Sequence, residues 1–160
     1  SLNRDQALAT VIAFTGLPHR CQLVAEAGGV RWFNDSKATN VGATLAALTG
    51  IGESIEGKVI LVAGGQGKGQ DFSPLAEPAR QYLRAALLMG EDRNTVAQGM
   101  SAAPCELVAD MAAAVARAHA LAQPGDAVLL SPACASFDMF SGFAARGDDF
   151  TARAREVCHD

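Results

Sequence analysis

The stretch Asn34-Asp35-Ser36-Lys37-Ala38-Thr39-Asn40 puts a carboxylate, an ammonium and two hydroxyls directly after the aromatic-ended, strand-like run Val30-Arg31-Trp32-Phe33. An ammonium captures a carboxylate or phosphate as a point charge, and hydroxyls add hydrogen-bond donors. Asp35 is suited to hold the Lys37 ammonium, to accept from a ribose hydroxyl, or only to cap the following helix. Two later stretches have the same character: Gly64-Gly65-Gln66-Gly67-Lys68-Gly69-Gln70-Asp71 presents Lys68, and Ser131-Pro132-Ala133-Cys134-Ala135-Ser136 offers the Ser136 hydroxyl. Lys37, Lys68, Thr39 and Ser136 facing one cavity describe a receptor for a small dicarboxylate. Each stretch alone also reads as a capped loop or a turn with a solvent lysine. Cys134 has no general base in sequence reach and reads as a buried small thiol.

These residues need a scaffold that brings distant loops together. Asn3 and Gln6 have capping-box spacing, and Ala7, Leu8, Val11, Ile12 and Phe14 form a helical stripe, so a first helix is expected over 3–14. Gly16-Leu17-Pro18-His19-Arg20 breaks it. Cys21 to Ala27 and Val30 to Asn34, joined by Gly28-Gly29, read as a β-hairpin. A helix is expected near 39–50, a buried strand over Lys58 to Ala63, and a helix opened by Ser73-Pro74 through Leu83. A strand over Arg84 to Met89, a short helix near 93–99 and a short strand near Cys105 to Val108 follow. Asp110 caps an Ala-rich helix to about Gln123. Ala127 to Leu130 is the last strand, with a closing helix near 148–158. Strands alternating with helices give a mostly parallel α/β sheet covered on both faces. Every strand-to-helix loop of such a sheet lies at its carboxyl edge, where ligands bind, and all three polar stretches are loops of that kind.

The Gly-rich loop does not match the two common nucleotide motifs. A Walker A loop would need Gly at Val62 and Ser or Thr at Gly69, and a GxGxxG starting at Gly65 would need Gly at Gln70. Composition narrows the partners. The 160 residues suit one domain, and a formal charge of −4 gives no global field for nucleic acid or an anionic membrane. There is no apolar run of membrane-spanning length and no signal-peptide pattern, so a cytoplasmic protein is expected. Cys21, Cys105, Cys134 and Cys158 form no CxxC, and no metal site is expected. The absence of an initiator Met suggests a fragment.

Taken together, Gly16-Leu17-Pro18-His19-Arg20, Asn34 to Asn40, Gly64-Gly65-Gln66-Gly67-Lys68 with Asp71-Phe72-Ser73-Pro74-Leu75, and Leu130 to Asp138 with Phe140, Phe143, Arg146-Gly147 and Phe150 resemble the C-terminal domain of the Mur ligase family over nearly the whole chain. The Asp-Ser-Lys-Ala-Thr-Asn string resembles its D-glutamate-adding branch. The resemblance implies a Rossmann-like three-layer α/β sandwich with a mostly parallel sheet and an antiparallel strand from the N-terminal hairpin. It implies that residues 1–15 end a central domain or linker and that 16–160 form the amino-acid-binding domain. Thr39 and Lys68 would bind the α-carboxylate of D-glutamate, and the Ser136 hydroxyl and Phe143 amide its side-chain carboxylate. Lys37 would lie by the reacting centre, and His19, Arg20 and Asp35 would contact ATP.

In the reaction so implied, ATP phosphorylates the carboxylate of UDP-N-acetylmuramoyl-L-alanine and the D-glutamate amine attacks the acyl phosphate. The UDP-binding and ATPase domains, with the Mg2+ ligands, are absent from this sequence. The chain alone is therefore expected to be inactive, monomeric and without tightly bound ATP. The alternatives are a stand-alone nucleotide-binding regulatory module and the equivalent domain of a sibling ligase for another amino acid.

Overall fold

The computed structural model describes residues 17–159; the expected first helix over 3–14, and with it the division at residue 15, lies outside them. Strands β1 (Gln22–Ala27) and β2 (Val30–Asn34) form the expected hairpin. Its turn residues Gly28 and Gly29 have φ of 60° and 78°, the left-handed pair that matches the twist of two-residue hairpins. Then come α1 (Val41–Ser54), β3 (Val59–Gly64), a single 3₁₀ turn (Ser73–Leu75), α2 (Ala76–Tyr82) and β4 (Leu83–Met89). The chain continues through α3 (Arg93–Gly99), β5 (Cys105–Leu107), α4 (Met111–Leu121), β6 (Ala127–Leu130) and α5 (Phe143–His159).

The six strands form one sheet in the order β1-β2-β6-β3-β4-β5, antiparallel between β1 and β2 and parallel elsewhere. All six residues of β3 are buried because both faces are covered. Val59 and Leu61 join Phe33, Leu48, Ile51 and Leu75 on one side, and Ile60 and Val62 join Trp32, Val115 and Phe150 on the other. This period-two alternation is what makes three layers.

Two helix boundaries depart from the sequence reading, both at glycine. Helix α1 runs on through Gly50 and Gly52 to Ser54, with Asn40 as its cap: Asn40 Oδ1 accepts from Ala43 N–H at 2.9 Å. Gly52 is needed there, since any Cβ would overlap the Tyr82 ring. Helix α5 starts at Phe143, five residues before the expected 148, because Gly147 lies inside it and lets the helix close onto His19 and Asn34.

Candidate functional site

Strands β2, β6 and β3 are neighbours, so the loops leaving their carboxyl ends are neighbours too. The loop after β2 is fixed first. Asp35 N–H donates to Leu130 O at 2.8 Å, and Ala38 N–H closes a β-turn on Asp35 O at 2.9 Å. Asp35 is buried, and its carboxylate accepts from Cys21 N–H at 3.0 Å and from the Ser131 hydroxyl at 2.8 Å. Burial pushes its carboxyl up to about 6, against the opposing pull of Ser131, Cys21 and Arg20. Asp35 therefore ties the β2 loop to the β6 loop and to the segment before β1.

Two cavities open at this rim. One, of about 430 Å³, is lined by Arg20, Asp35 and Lys37 together with Cys21 and the Ala43 and Ala47 face of α1. The other, of about 340 Å³, is lined by Thr39, Lys68, Ser136 and Phe143. The expectation that both lysines face one cavity is corrected here. The β-turn at Asp35–Ala38 buries Ala38 and sends Lys37 and Thr39 to opposite sides of it. Between them, Lys37 Nζ of the first stands 4.7 Å from the centroid of the Phe143 ring of the second.

Phe143 is the first residue of α5, where the leading N–H groups have no intrahelical acceptor and the helix end is electropositive. Such an amide is suited to an anionic oxygen. Ser136 is buried, and among the described residues its hydroxyl makes no hydrogen bond. A ligand in this cavity therefore meets Lys68, the hydroxyl residues Thr39, Ser136 and Ser141 and a helix N-terminus, a donor set complementary to carboxylates.

His19 does not line the described part of the first cavity but packs edge-on against Phe143, centroids 5.9 Å apart. Asn34 Nδ2 donates to His19 Nδ1 at 2.9 Å, while Asn34 Oδ1 accepts from Ser36 N–H at 3.0 Å. That fixes the amide orientation and makes His19 Nδ1 the acceptor, with Nε2 facing Asp148 at 3.6 Å.

Residue roles the sequence did not reveal lie beneath the loops. Arg146 is 1% exposed and donates to Ser36 Oγ at 2.9 Å, Ser36 O at 2.7 Å and Cys134 O at 3.0 Å. Burial lowers its guanidinium to about 10, still charged at neutral pH. Ser36 passes the link on by donating to Phe143 O at 2.7 Å. Gln70 accepts from Val41 N–H at 3.0 Å and donates to Ala133 O at 3.0 Å. Cys134 is a buried thiol with its acidity suppressed by burial, to about 12. Among the described residues no group of three or more His, Cys, Asp or Glu is arranged to hold a metal ion, and no helix is long and apolar enough to cross a membrane.

A model of the family described as "Mur ligase, glutamate ligase domain" matches residues 19–134. The chain is 92% identical over 160 residues to the UDP-N-acetylmuramoylalanine–D-glutamate ligase of Alcanivorax borkumensis, covering all of this chain and 36% of that protein. It is 54% identical over 150 residues to the enzyme of the same name from Chromohalobacter salexigens, covering 93% of this chain and 33% of that one. The chain thus spans about a third of the length of these curated relatives. In fold it matches the MurF ligase from Thermotoga maritima in complex with ADP, with a TM-score of 0.62 at 16% identity over 89% of this chain and 32% of that one.

Proposed function

Because this chain belongs to the Mur ligase family, carrying its glutamate ligase domain, we propose that it is the amino-acid-positioning domain of an ATP-dependent ligase that adds D-glutamate to UDP-N-acetylmuramoyl-L-alanine in cytoplasmic peptidoglycan precursor synthesis. The observation that carries this reading is the gathering of Thr39, Lys68, Ser136 and Phe143, from three loops and a helix start, around one cavity rich in donors. Lys68 and Thr39 take the α-carboxylate, and the Ser136 hydroxyl and Phe143 amide take the side-chain carboxylate.

With both carboxylates held, the amine is aimed at an activated carbonyl. Such orientation supplies effective molarities on the order of 10⁵ M or more. Lys37, between the two cavities, stands by the reacting centre and stabilises charge on the transferring phosphate. Arg20 and Asp35 line the cavity that receives the nucleotide, and His19, beside Phe143, contacts it from the rim. On this reading residues 1–15 end or connect to the ATPase domain, which supplies the Mg2+ ligands, and domain closure brings this rim over the nucleotide.

In a full-length ligase carrying this domain, Lys68→Ala and Ser136→Ala are each expected to raise the D-glutamate KM by about tenfold or more, the loss of one charge-assisted hydrogen bond. Steady-state kinetics checks this, and unchanged KM in both variants overturns the assignment.

A further inference from the structure

Lys68 must hold its ammonium over the cavity from a loop of glycines, with a backbone φ of 54°, in the left-handed region that favours glycine. Among the described residues no hydrogen bond or ion pair reaches that ammonium, so the backbone that carries Lys68 is what the fold holds in place. Gly67 is gripped through both of the peptide groups it belongs to. Gly67 O accepts from Gln70 N–H at 3.1 Å and from Gln70 Nε2 at 2.9 Å. Gly67 N–H donates to Asp92 Oδ2 at 2.6 Å, a short charge-assisted bond. Asp92 N–H returns a bond to Gly65 O at 2.9 Å.

Asp92 lies in the loop after β4 and immediately precedes α3. An aspartate there ordinarily turns its carboxylate onto the N–H groups of the first helical turn. It makes no such bond. Helix α3 goes without its side-chain cap while the carboxylate crosses to the Gly-rich loop. Gly67 permits the approach: a Cβ there would lie 3.0 Å from the Phe72 ring and 3.4 Å from Asp92 Oδ2.

We infer that Asp92 is a positioning residue for the amino-acid substrate, holding the backbone N–H of Gly67, the residue before Lys68, so that the Lys68 ammonium stands over the cavity shared with Thr39 and Ser136. Asp92 does not touch the substrate. The inference rests on the reading of Lys68 as the carboxylate-binding cation.

The test is steady-state kinetics on a full-length ligase carrying this domain. Asp92→Ala is expected to raise the D-glutamate KM about tenfold with kcat and the ATP KM changed less than about twofold, a loss of binding rather than of chemistry. Asp92→Asn keeps an acceptor oxygen and should restore the KM to within about threefold of wild type. In a Lys68→Ala background Asp92→Ala should have no further effect, since both act through one ammonium. An unchanged KM in Lys68→Ala overturns the underlying reading of Lys68. A raised KM in Lys68→Ala beside an unchanged KM in Asp92→Ala, or full additivity of the two, overturns the role of Asp92 alone. If Asp92→Ala does not fold, Asp92→Glu, which keeps the charge but displaces the oxygens, should raise the KM about threefold or more, and a wild-type KM there also overturns it.

Discussion

Asp35 carries a pH signature that its neighbours do not share. Its folded-state pKa of about 6 stands above the ordinary 3.8, so folding strengthens its hold on a proton. The stability tied to that proton is fully present below about pH 4 and is lost as the pH rises through 6. Asp35→Asn does not titrate. The unfolding free energy of the wild type minus that of the variant should therefore be about 2 kcal/mol larger at pH 4.5 than at pH 7. Urea denaturation at the two pH values measures it, and a constant difference contradicts the burial argument. At this scale four residues named at the outset, Thr39, Lys68, Ser136 and Phe143, line one cavity as a group. The sequence marked Arg146 within the family resemblance but was silent on its role, since its partners are Ser36 and a backbone carbonyl of another loop, 110 and 12 residues away, and a carbonyl has no letter. It also misjudged Lys37, because a single β-turn decides which side that ammonium takes.

Strand positions read off the sequence agree with the structure to within a residue or so, because apolar β-branched runs ending in glycine have few other uses in a buried sheet. Helices were legible except where glycine sits inside them. Glycine weakens a helix by about 1 kcal/mol relative to alanine, so it reads as a stop. Packing overrides that at Gly147, where a side chain would overlap His19, and at Gly52 against Tyr82. The same substitution should thus have opposite signs at two helical sites. Gly50 has open space around its would-be Cβ, and Gly50→Ala should stabilise by about 0.5–1 kcal/mol. Gly147→Ala must push His19 and Asn34 aside and should destabilise by about 1–3 kcal/mol. Chemical denaturation of both variants checks this, and a shift of the same sign in both would falsify it.

Across the molecule the two ends of β6 do different work. Its carboxyl end leads into the candidate site, whereas Asp126 precedes its first residue and is 2% exposed. Asp126 accepts from Arg84 Nε at 2.6 Å and Nη2 at 3.0 Å, and from the N–H groups of Lys58 and Gln123, each at 2.9 Å. Burial alone would push its carboxyl up, but the Arg84 bonds and these two amides outweigh it and hold it below the ordinary carboxylate range. Its contribution is therefore present above that range and lost on acidification, the reverse of Asp35. Asp126→Ala strands a cation and two amides and should cost about 3 kcal/mol. Because it lies a sheet's length from the cavity, the D-glutamate KM of a full-length ligase carrying it should stay within about twofold of wild type at a temperature where it is folded. A thermal melt with a parallel KM measurement tests both halves.

The place of β6 in the sheet also fixes the order in which a ribosome can complete the domain. Strands β2 and β3 are separated by β6 and make no pair with each other. Until residues 127–130 are synthesised, no strand is present to join β1-β2 to β3-β4-β5 in one sheet. Ser136, Phe143 and Arg146 emerge after that strand. Ser136 and Phe143 therefore reach the rim, and Phe150 its side of the core, only once the last of the six strands in chain order has entered the middle of the sheet.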